Sequence, residues 1–471
     1  MVNNISAKFK GRILLLGFGS IGQGVLPLLL KHIDLDKSKM LIIAADEKGR
    51  SIAEEYKISW KLCALNEENY RTILSKLLNE GDFLLNLSVN VSTVALIELC
   101  QNLNCFYLDT CIEPWSGRYL DPKISVSKRS NYNLREEALA LKKIYKDGPT
   151  AMLAHGANPG LASHFVKKAL LNIAADRENL QKIPQSQEEW SLLAKKLGVK
   201  VIHIAERDTQ GTTMPRNKDE FVNTWSVEGF VNEGLQPAEL GWGTHEKELP
   251  HNGHHHETGC RSAIYLNMPG ASVRVRSWTP KEGPYHGFLI AHNEAISLSH
   301  YFSLYDQNEL LLYRPTVHYA YHPCDDAILS LHELAGKNWT IPDSKRIILD
   351  EIETGIDELG VLLMGPDKGY WYGSVLSIEE AKKLAPHNNA TGLQVTSAVL
   401  AGVIWILENP RKGIVEAEDA DFERIMEIAT PYLGKLEGHY TDWTPLEGRQ
   451  KLFVEQLDHL DPWQFKNFQV V

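Results

Sequence analysis

Acidic and aromatic residues cluster in two neighbouring segments near the middle of the chain. Glu206 and Asp208 follow one predicted strand, and Trp225 ends another, 221–225, shortly before Glu233. An ammonium group is stabilised by a carboxylate partner and by the face of an aromatic ring. These residues could therefore form a pocket for an amine. The residues alone leave one alternative open, in which Trp225 belongs to the core and the acids lie on the surface.

A glycine-rich sequence near the N-terminus has the spacing of a dinucleotide-binding turn, Gly-x-Gly-x-x-Gly. It follows a predicted buried strand and opens a predicted helix, which is the context that this motif requires. Gly17 would form the tight turn, Gly19 would let the backbone approach a pyrophosphate, and Gly22 would let the helix pack on the strand. The helix N-terminus offers free N–H groups to the phosphates, so Ser20 and Ile21 belong to the predicted cofactor site.

Asp46, which closes the second apolar run 40–45, indicates which dinucleotide is bound. A carboxylate at the end of this strand accepts a hydrogen bond from the ribose 2′-OH of NAD and repels the 2′-phosphate of NADP. Asp46 lies somewhat further from the glycines than the usual spacing of about 20 residues, which a longer helix and loop can absorb. The sequence favours NAD, and Lys48 and Arg50 close by leave NADP as an alternative.

Further polar residues come where later strands of the predicted sheet end. Ser88 follows the third strand, and Asp109 and Thr110 follow the fourth. Because the carboxyl ends of Rossmann strands face the ligand crevice, we assign these three residues to the cofactor site and place Glu113 beside it. Asn158 lies in a turn at the start of the second half of the chain. There it could either cap the next helix or contact a substrate.

The order of apolar runs predicts an α/β protein with more than one domain. Through residues 1–150 strands alternate with helices, which is typical of a Rossmann-type dinucleotide-binding domain. Residues 151–381 are predicted to form a mixed-sheet α+β domain that binds the substrate, with loop-rich stretches at 219–270 and 280–287. Residues 382–471 return to a helical pattern and are predicted to pack back towards the Rossmann domain. The strands predicted for the second domain are 201–205, 221–225, 272–278 and 288–292.

The composition narrows the function classes. The chain has 471 residues and a net charge of −11, which argues against nucleic-acid binding and would favour a cationic ligand. No run of about 18 apolar residues exists, the N-terminus is polar, and cysteines are sparse, so we expect a cytoplasmic protein without a membrane span. The histidine-rich run 251–260 and the trio Cys100, Cys105 and Cys111 could suggest a metal. Neither has a regular ligand spacing, and no metal is predicted.

Seven short segments together resemble one family. They are Gly17–Gly22, Asn86–Val89, Glu113–Trp115, Gly156–Gly160, Ala205–Gln210, Asn223–Phe230 and His318–Cys324. Through them the chain is similar, from about residue 12 to residue 465, to the bacterial homospermidine synthases of the wider saccharopine-dehydrogenase-like group. The glycine motif is shared by many enzymes, whereas the segments that contain Trp225 and His318 are far more particular.

The resemblance implies a homodimer, joined through the second domain, that keeps NAD as a prosthetic group. It would convert two putrescines into homospermidine and ammonia through an imine that the second diamine captures and that is then reduced. Trp225 would stabilise the cationic nitrogen through its ring. The other catalytic residues that the resemblance implies are Glu206, His292 and Asn158. The substrate-binding residues that it implies are Glu113, Glu233, Glu294 and Asp357.

Asn90 departs from the family pattern, in which an acid is expected at this position. One carboxylate fewer would weaken amine binding at the pocket entrance unless a neighbour compensates. Two other functions stay open: a related reductive-amination oxidoreductase that uses free NAD(P)H, and a catalytically silent NAD-binding protein. The acid-rich stretch 206–233 argues against a substrate that carries a carboxylate, because such a substrate would need arginine or lysine.

Overall fold

The computed structural model describes residues 5–178 and 182–470, and within them seven parallel strands form one sheet. In spatial order these strands are Ile414–Val415, Ala151–Met152, Phe106–Asp109, Phe83–Asn86, Ile13–Leu16, Met40–Ala44 and Ser59–Leu62. Alternate side chains of the central strands pack into separate apolar clusters on the two faces, which explains why the strands are continuous apolar runs. The helices between the first strands are Ser20–His32, Arg50–Glu55, Tyr70–Leu74 and Thr93–Leu103.

This sheet confirms the predicted α/β class and Rossmann-type architecture, and it reaches beyond residue 150. Strand Ala151–Met152 pairs in parallel with Phe106–Asp109. Strand Ile414–Val415, from the C-terminal part of the chain, then adds an edge to it. The sheet is therefore completed by residues that come after the predicted end of the first domain.

Helix Ala390–Glu408 connects the C-terminal part to the first domain. It packs along helix Ser20–His32, and a Cβ on Gly24 would lie only 2.4 Å from the Asn388 side chain, so glycine permits this close approach. The helix is long and apolar enough to cross a membrane, but most of its residues are buried inside the protein, as in a core helix. Strand Lys435–Thr441 of the same region belongs to the second sheet.

The second sheet is mixed and has ten strands among the described residues. Eight lie in the order Gly253–His255, Ala263–Pro269, Pro237–Gly241, Thr316–His322, Val201–Asp208, Ile356–Met364, Gly369–Ser377 and Lys435–Thr441. The hairpin of Arg274–Thr279 and Gly283–Phe288 joins it at Thr316–His322. The longer helices around it are Asn131–Ala140, Leu161–Glu178, Gln187–Lys196, Val227–Leu235, Asn293–Tyr301, Asp325–Gly336, Ile378–Leu384 and Phe422–Ala429.

The register of the mixed sheet brings distant residues side by side. Glu206 lies opposite Tyr321 on one neighbouring strand, and Asp208 lies opposite Asp357 on the other. Side chains two residues apart on a strand point to the same face. Glu206 and Asp208 therefore face the same way.

Two expectations for the second domain are wrong. Neither stretch predicted to be loop-rich is mainly loop, because 219–270 contains helix Val227–Leu235 and several strands and 280–287 is mostly part of strand Gly283–Phe288. The predicted strand 288–292 is also misplaced, because strand Gly283–Phe288 ends where it was expected to begin and His292 precedes helix Asn293–Tyr301. Gly241 and Gly287, which suggested loops, lie inside strands at points where a neighbouring backbone approaches closely.

Candidate active site

A cavity of about 520 Å³ lies between the carboxyl edge of the parallel sheet and the mixed sheet. The predicted site residues that line it are Gly17, Gly19, Ser20, Ile21, Asp46, Ser88, Thr110, Asn158, Glu206, Trp225, Glu233 and His292. The predicted site residues that lie behind this lining are Gly22, Asp109, Glu113, Glu294 and Asp357. One cavity thus collects residues from both halves of the chain.

The glycine turn forms one end of the cavity. Gly17 has a φ of 86°, and a Cβ there would lie 2.7 Å from the backbone of Leu87, so only glycine fits. The space on the Cβ side of Gly19 is open. No side chain caps helix Ser20–His32 in the described residues, which leaves its first N–H groups free for an anion. This end therefore fits the pyrophosphate of a dinucleotide.

Asp46 is exposed at the same end of the cavity, and its Oδ1 accepts the backbone N–H of Lys48 at 2.8 Å. The guanidinium of Arg50 forms ion pairs with Glu47 at 3.0 Å and with Glu54 at 2.9 Å. Two carboxylates thus already match the positive charge of Arg50. The charge balance around Asp46 suits a ribose hydroxyl better than a phosphate.

Asp109 does not face the cavity. Its carboxylate accepts hydrogen bonds from the Ala154 N–H at 2.6 Å and from the Tyr107 and Thr93 hydroxyls, both at 2.7 Å. Burial raises its pKa to about 6. Asp109 therefore ties its strand to the next one, and Thr110 is the residue of this pair that lines the cavity.

Glu206 lies at the end of the cavity opposite the glycine turn, where hydrogen bonds hold its carboxylate in place. Its carboxylate accepts a hydrogen bond from the Tyr319 hydroxyl and another from Asn158 Nδ2, at 2.5 Å. Asn158 Nδ2 also lies 2.8 Å from the Tyr319 hydroxyl. Burial raises the pKa of Glu206 to about 7, although these two hydrogen bonds lower it. The group can therefore exchange a proton near neutral pH.

Two more carboxyl groups lie behind Glu206. Thr391, which lines the cavity, donates its hydroxyl to Asp357 Oδ2 at 2.5 Å, and its hydroxyl lies 3.4 Å from Asp208 Oδ2. Burial raises the pKa of Asp208 to about 6 and that of Asp357 well above its usual value. Burial thus favours the protonated form of Asp357 beside an ionisable Glu206.

A second acidic group lies nearer the parallel sheet. Burial raises the pKa of Glu113 to about 7, and burial together with Glu113 and Glu206 raises the pKa of Glu233 well above its usual value. The backbone N–H of Asn90 donates to Glu113 Oε2 at 3.3 Å. The Asn90 side chain accepts from Asn232 Nδ2 at 3.4 Å and adds a neutral amide where an acid was expected.

The cavity has an excess of acidic groups. Within the described residues, none of its buried carboxyls has a lysine or arginine among the causes of its pKa shift; they are Glu113, Glu206, Asp208, Glu233 and Asp357. Lys48 lines the cavity at the exposed, dinucleotide end. Buried carboxylates are stable only when a cation compensates them or when they bind a proton. The acidic end is therefore suited to a ligand that carries positive charge.

Trp225 lines the cavity and is half-buried rather than part of the closed core. Its Nε1 donates to the Tyr321 hydroxyl at 3.1 Å, and its ring packs against Phe230 with centroids 5.7 Å apart. The rings of Tyr319 and Tyr321 stack 5.1 Å apart and support this arrangement. The indole is thus fixed from behind, with part of its surface open to the cavity.

His292 presents a neutral imidazole to the cavity, because burial lowers its pKa to about 3. Its ring centroid lies 4.5 Å from that of Tyr319. Within the described residues its Nδ1 is buried and has no hydrogen-bond partner. That nitrogen can accept or donate a hydrogen bond when a ligand is present.

In the histidine-rich run 251–260, His256 has a structural role. His256 stacks on Tyr132 with ring centroids 3.8 Å apart, and its Nε2 lies 3.3 Å from Glu239. No group of three or more histidine, cysteine, aspartate or glutamate side chains in the described residues could hold a metal ion.

Sequence reasoning missed some residues that shape the acidic end: Tyr319, Tyr321 and Thr391. The signal for the two tyrosines was present, because they stand two apart on one strand and so share a face. Their partners Glu206 and Trp225 are about a hundred residues away in the sequence. Strand register brings Glu206 beside the tyrosines, whereas Trp225 reaches Tyr321 from the segment after strand Glu220–Asn223.

The fold and the cavity define a two-domain enzyme with a dinucleotide site beside an acidic pocket. Family comparisons agree with this class. Residues 13–152 match the saccharopine dehydrogenase NADP binding domain, and residues 156–442 match the saccharopine dehydrogenase C-terminal domain.

Homospermidine synthases are similar over nearly the whole chain. That of Blastochloris viridis is 52% identical, covering 98% of this chain and 97% of the relative, and that of Mesorhizobium japonicum is 50% identical, covering 99% and 98%. The crystal structure of homospermidine synthase from Legionella pneumophila in complex with NAD has a TM-score of 0.92 at 49% identity, covering 98% of each chain. The chain therefore belongs to the homospermidine synthase family, which confirms the resemblance.

Proposed function

We propose that this enzyme joins two putrescine molecules into sym-homospermidine and releases ammonia, with NAD as its cofactor. The observation that carries the proposal is the group of buried carboxyls around Glu206 and Glu113, which have no lysine or arginine partner in the described part of the chain and lie at the same cavity as the glycine turn. A diamine would supply the compensating positive charges. A dinucleotide would bring hydride transfer to the same place.

The dinucleotide end of the cavity has the donors and the space that NAD requires. The residues that would hold it are Gly17, Gly19, Ser20, Ile21, Asp46, Ser88 and Thr110. When bound, NAD supplies an acceptor and later a donor of hydride at the acidic end. The ion pairs of Arg50 with two glutamates support NAD rather than NADP.

The acidic end would bind, orient and deprotonate the diamines. Glu206, with a pKa of about 7, would take the proton of the attacking ammonium, since an amine attacks only when neutral. Asn158 and Tyr319 would hold its carboxylate in place. Glu113 and Glu233 would attract the far ammonium group, and this attraction would lower their raised pKa values.

Trp225 would stabilise the cationic nitrogen through its ring face, and His292 would offer a neutral nitrogen beside it. Asp357 lies behind Glu206 and Thr391, so its proposed contribution to substrate binding is to hold a proton next to Glu206. The apolar residues of the lining, among them Val91 and Val395, would keep water from the reacting atoms.

We also propose that the enzyme is a homodimer in the cytoplasm. The six cysteines are all unpaired, in keeping with a reducing compartment. Leu452, Phe453 and Val454 are 80–96% exposed in a row. Such an apolar segment is typical of a subunit contact, although it lies in the C-terminal region and not in the second domain, to which the resemblance assigned the contact. Sedimentation of the full chain would give the mass of the assembly.

The function is tested by mixing the protein with putrescine and a catalytic amount of NAD. Mass spectrometry is expected to find homospermidine in excess over NAD, with no lasting absorbance of reduced nicotinamide. The same amount of NADP should give less product because of Asp46. Stoichiometric NADH would indicate an ordinary dehydrogenase, and bound NAD without product would indicate a silent NAD-binding protein.

Trp225→Ala is expected to lower kcat about ten-fold or more, because a ring face in a desolvated site stabilises a cation by about 2 kcal/mol or more and about 1.4 kcal/mol corresponds to one decade. Trp225→Phe should retain part of the activity, since it keeps a ring and loses only the hydrogen bond to Tyr321. Both variants should still bind NAD. The measurements are kcat and a thermal melt for each variant.

Trp242→Ala is the matched control, because Trp242 is also half-buried but packs against Phe465 outside the cavity. It should lose stability and keep its kcat. A Trp225→Ala protein that behaves like this control would show that Trp225 only fills space.

A further inference from the structure

Glu294 is predicted to bind substrate, but Oε1 of its carboxylate is turned towards the protein, and in the described residues its Oε2 is buried without a hydrogen-bond partner. Its Oε1 accepts the backbone N–H of Gly160 at 2.8 Å, the N–H of Ser163 at 2.9 Å and the Ser163 hydroxyl at 2.7 Å. The residue is only 1% exposed and does not line the cavity. A substrate ammonium in the cavity therefore cannot reach the Oε1 that these donors occupy.

The groups that Glu294 holds belong to the turn that presents Asn158. This turn is compact: the Gly156 N–H donates to the Pro159 carbonyl at 2.6 Å. Gly160 has a φ of 130°, and a Cβ there would lie 2.2 Å from the Gly156 oxygen. The turn therefore moves as one unit, and the bond from Gly160 to Glu294 fixes its end.

Glu294 is held in turn by a polar network outside the cavity. The Ser163 hydroxyl also lies 3.0 Å from Glu418 Oε1, and the Ser297 hydroxyl donates to the same oxygen at 2.7 Å. Lys167 Nζ donates to the backbone oxygen of Glu418 at 2.7 Å. The network joins helix Leu161–Glu178 to the segment around Glu418, so the position of Glu294 is set from behind.

We propose that Glu294 is a positioning residue, which fixes the 156–160 turn so that the Asn158 amide reaches Glu206 and Tyr319. The proposal rests on the proposed function for its catalytic consequence. The three donors require a hydrogen-bond acceptor at Oε1, and this acceptor need not carry a negative charge. Glutamine keeps that acceptor, and alanine removes it.

Glu294→Ala is expected to lower kcat by about ten-fold or more with little change in KM, because a small misplacement of a catalytic group costs up to about 10² in rate. Glu294→Gln should stay within about three-fold of the parent by the same reasoning. In an Asn158→Ala background, Glu294→Ala should lower kcat little further, since both changes remove the same interaction. If Glu294 instead bound an ammonium group directly through its charge, Glu294→Gln and Glu294→Ala would lower kcat equally and raise KM. The losses caused by Glu294→Ala and Asn158→Ala would then multiply, and this result would overturn the proposal.

Hydrogen exchange tests the same proposal without turnover. The amides of Gly160 and Ser163 should exchange faster in Glu294→Ala and at the parent rate in Glu294→Gln. Glu246→Ala is the matched control, because this buried acid accepts from Thr316 and from the Phe465 N–H elsewhere in the molecule. It should lose stability and keep both activity and the exchange of the 156–160 turn. Unchanged exchange in Glu294→Ala would refute the proposal, whereas a parent enzyme without product would refute only the proposed function.

Discussion

Replacing Glu206 with glutamine is expected to lower kcat about 10²- to 10⁴-fold, the usual contribution of a positioned general base. Glutamine can still accept the hydrogen bonds of Tyr319 and Asn158, so the site should keep its shape. It cannot take a proton from the attacking amine. NAD affinity should not change, because Glu206 lies at the other end of the cavity. Single-turnover kinetics with saturating putrescine would measure the loss.

The pH profile separates a base from a residue that only binds. Since the pKa of Glu206 is raised to about 7, kcat should rise with pH through this region, as the carboxyl loses its proton. Glu206→Gln should abolish this rise of kcat with pH, which is one limb of the pH profile. Glu246→Gln is a suitable control, because burial also raises the pKa of Glu246 to about 7 at a site away from the cavity. A Glu206→Gln enzyme that keeps the limb would assign the proton transfer to another group.

The Rossmann half of the molecule follows directly from the sequence. Its strands are buried on both faces, so runs such as Ile13–Leu16 are apolar without interruption. The carboxyl ends of these strands face one crevice, which is why Gly17, Ser88 and Thr110 could be placed at the cavity from the sequence.

The acidic half could be predicted only in part. Glu206 and Trp225 stand out by residue type, but the neighbours that fix them, Tyr319 and Tyr321, come from a strand more than ninety positions later. The pairing of distant strands is decided by the assembled sheet and leaves no local pattern. The catalytic roles of Glu206 and Trp225 were therefore predicted from the family resemblance and not from the local sequence pattern.

The sequence also cannot tell a carboxylate that faces a cavity from one that lies behind its wall. Asp109 and Glu294 have the residue type of a ligand-binding group, yet each accepts three hydrogen bonds from the protein itself. Backbone N–H groups that need an acceptor recruit acids as readily as ligands do. Only the hydrogen-bond partners distinguish the two cases.

The NAD complex is expected to lose stability as the pH rises from about 5 to about 8, and putrescine should restore it. Glu113 and Glu206 have pKa values of about 7 in the folded protein against 4.5 for a free glutamate. A raised folded pKa contributes stability that is complete below the unfolded pKa and is lost as the pH rises through the folded one. At about 1.4 kcal/mol per pKa unit, several such carboxyls lower the free energy of unfolding by several kcal/mol.

Putrescine carries two positive charges and should bind the ionised carboxylates, so its stabilising effect should grow with pH. Occupancy at about 100 times Kd adds about 2.7 kcal/mol. Denaturant unfolding at pH 5, 6.5 and 8, with and without putrescine, measures both effects. Buried acids outside the cavity, such as Glu246, also titrate, so the putrescine-dependent part is the diagnostic quantity. It should shrink in a Glu113→Gln/Glu206→Gln variant and persist in Glu246→Gln. Equal stabilisation by putrescine at pH 5 and pH 8 would mean that the buried carboxyls do not bind it through their charge.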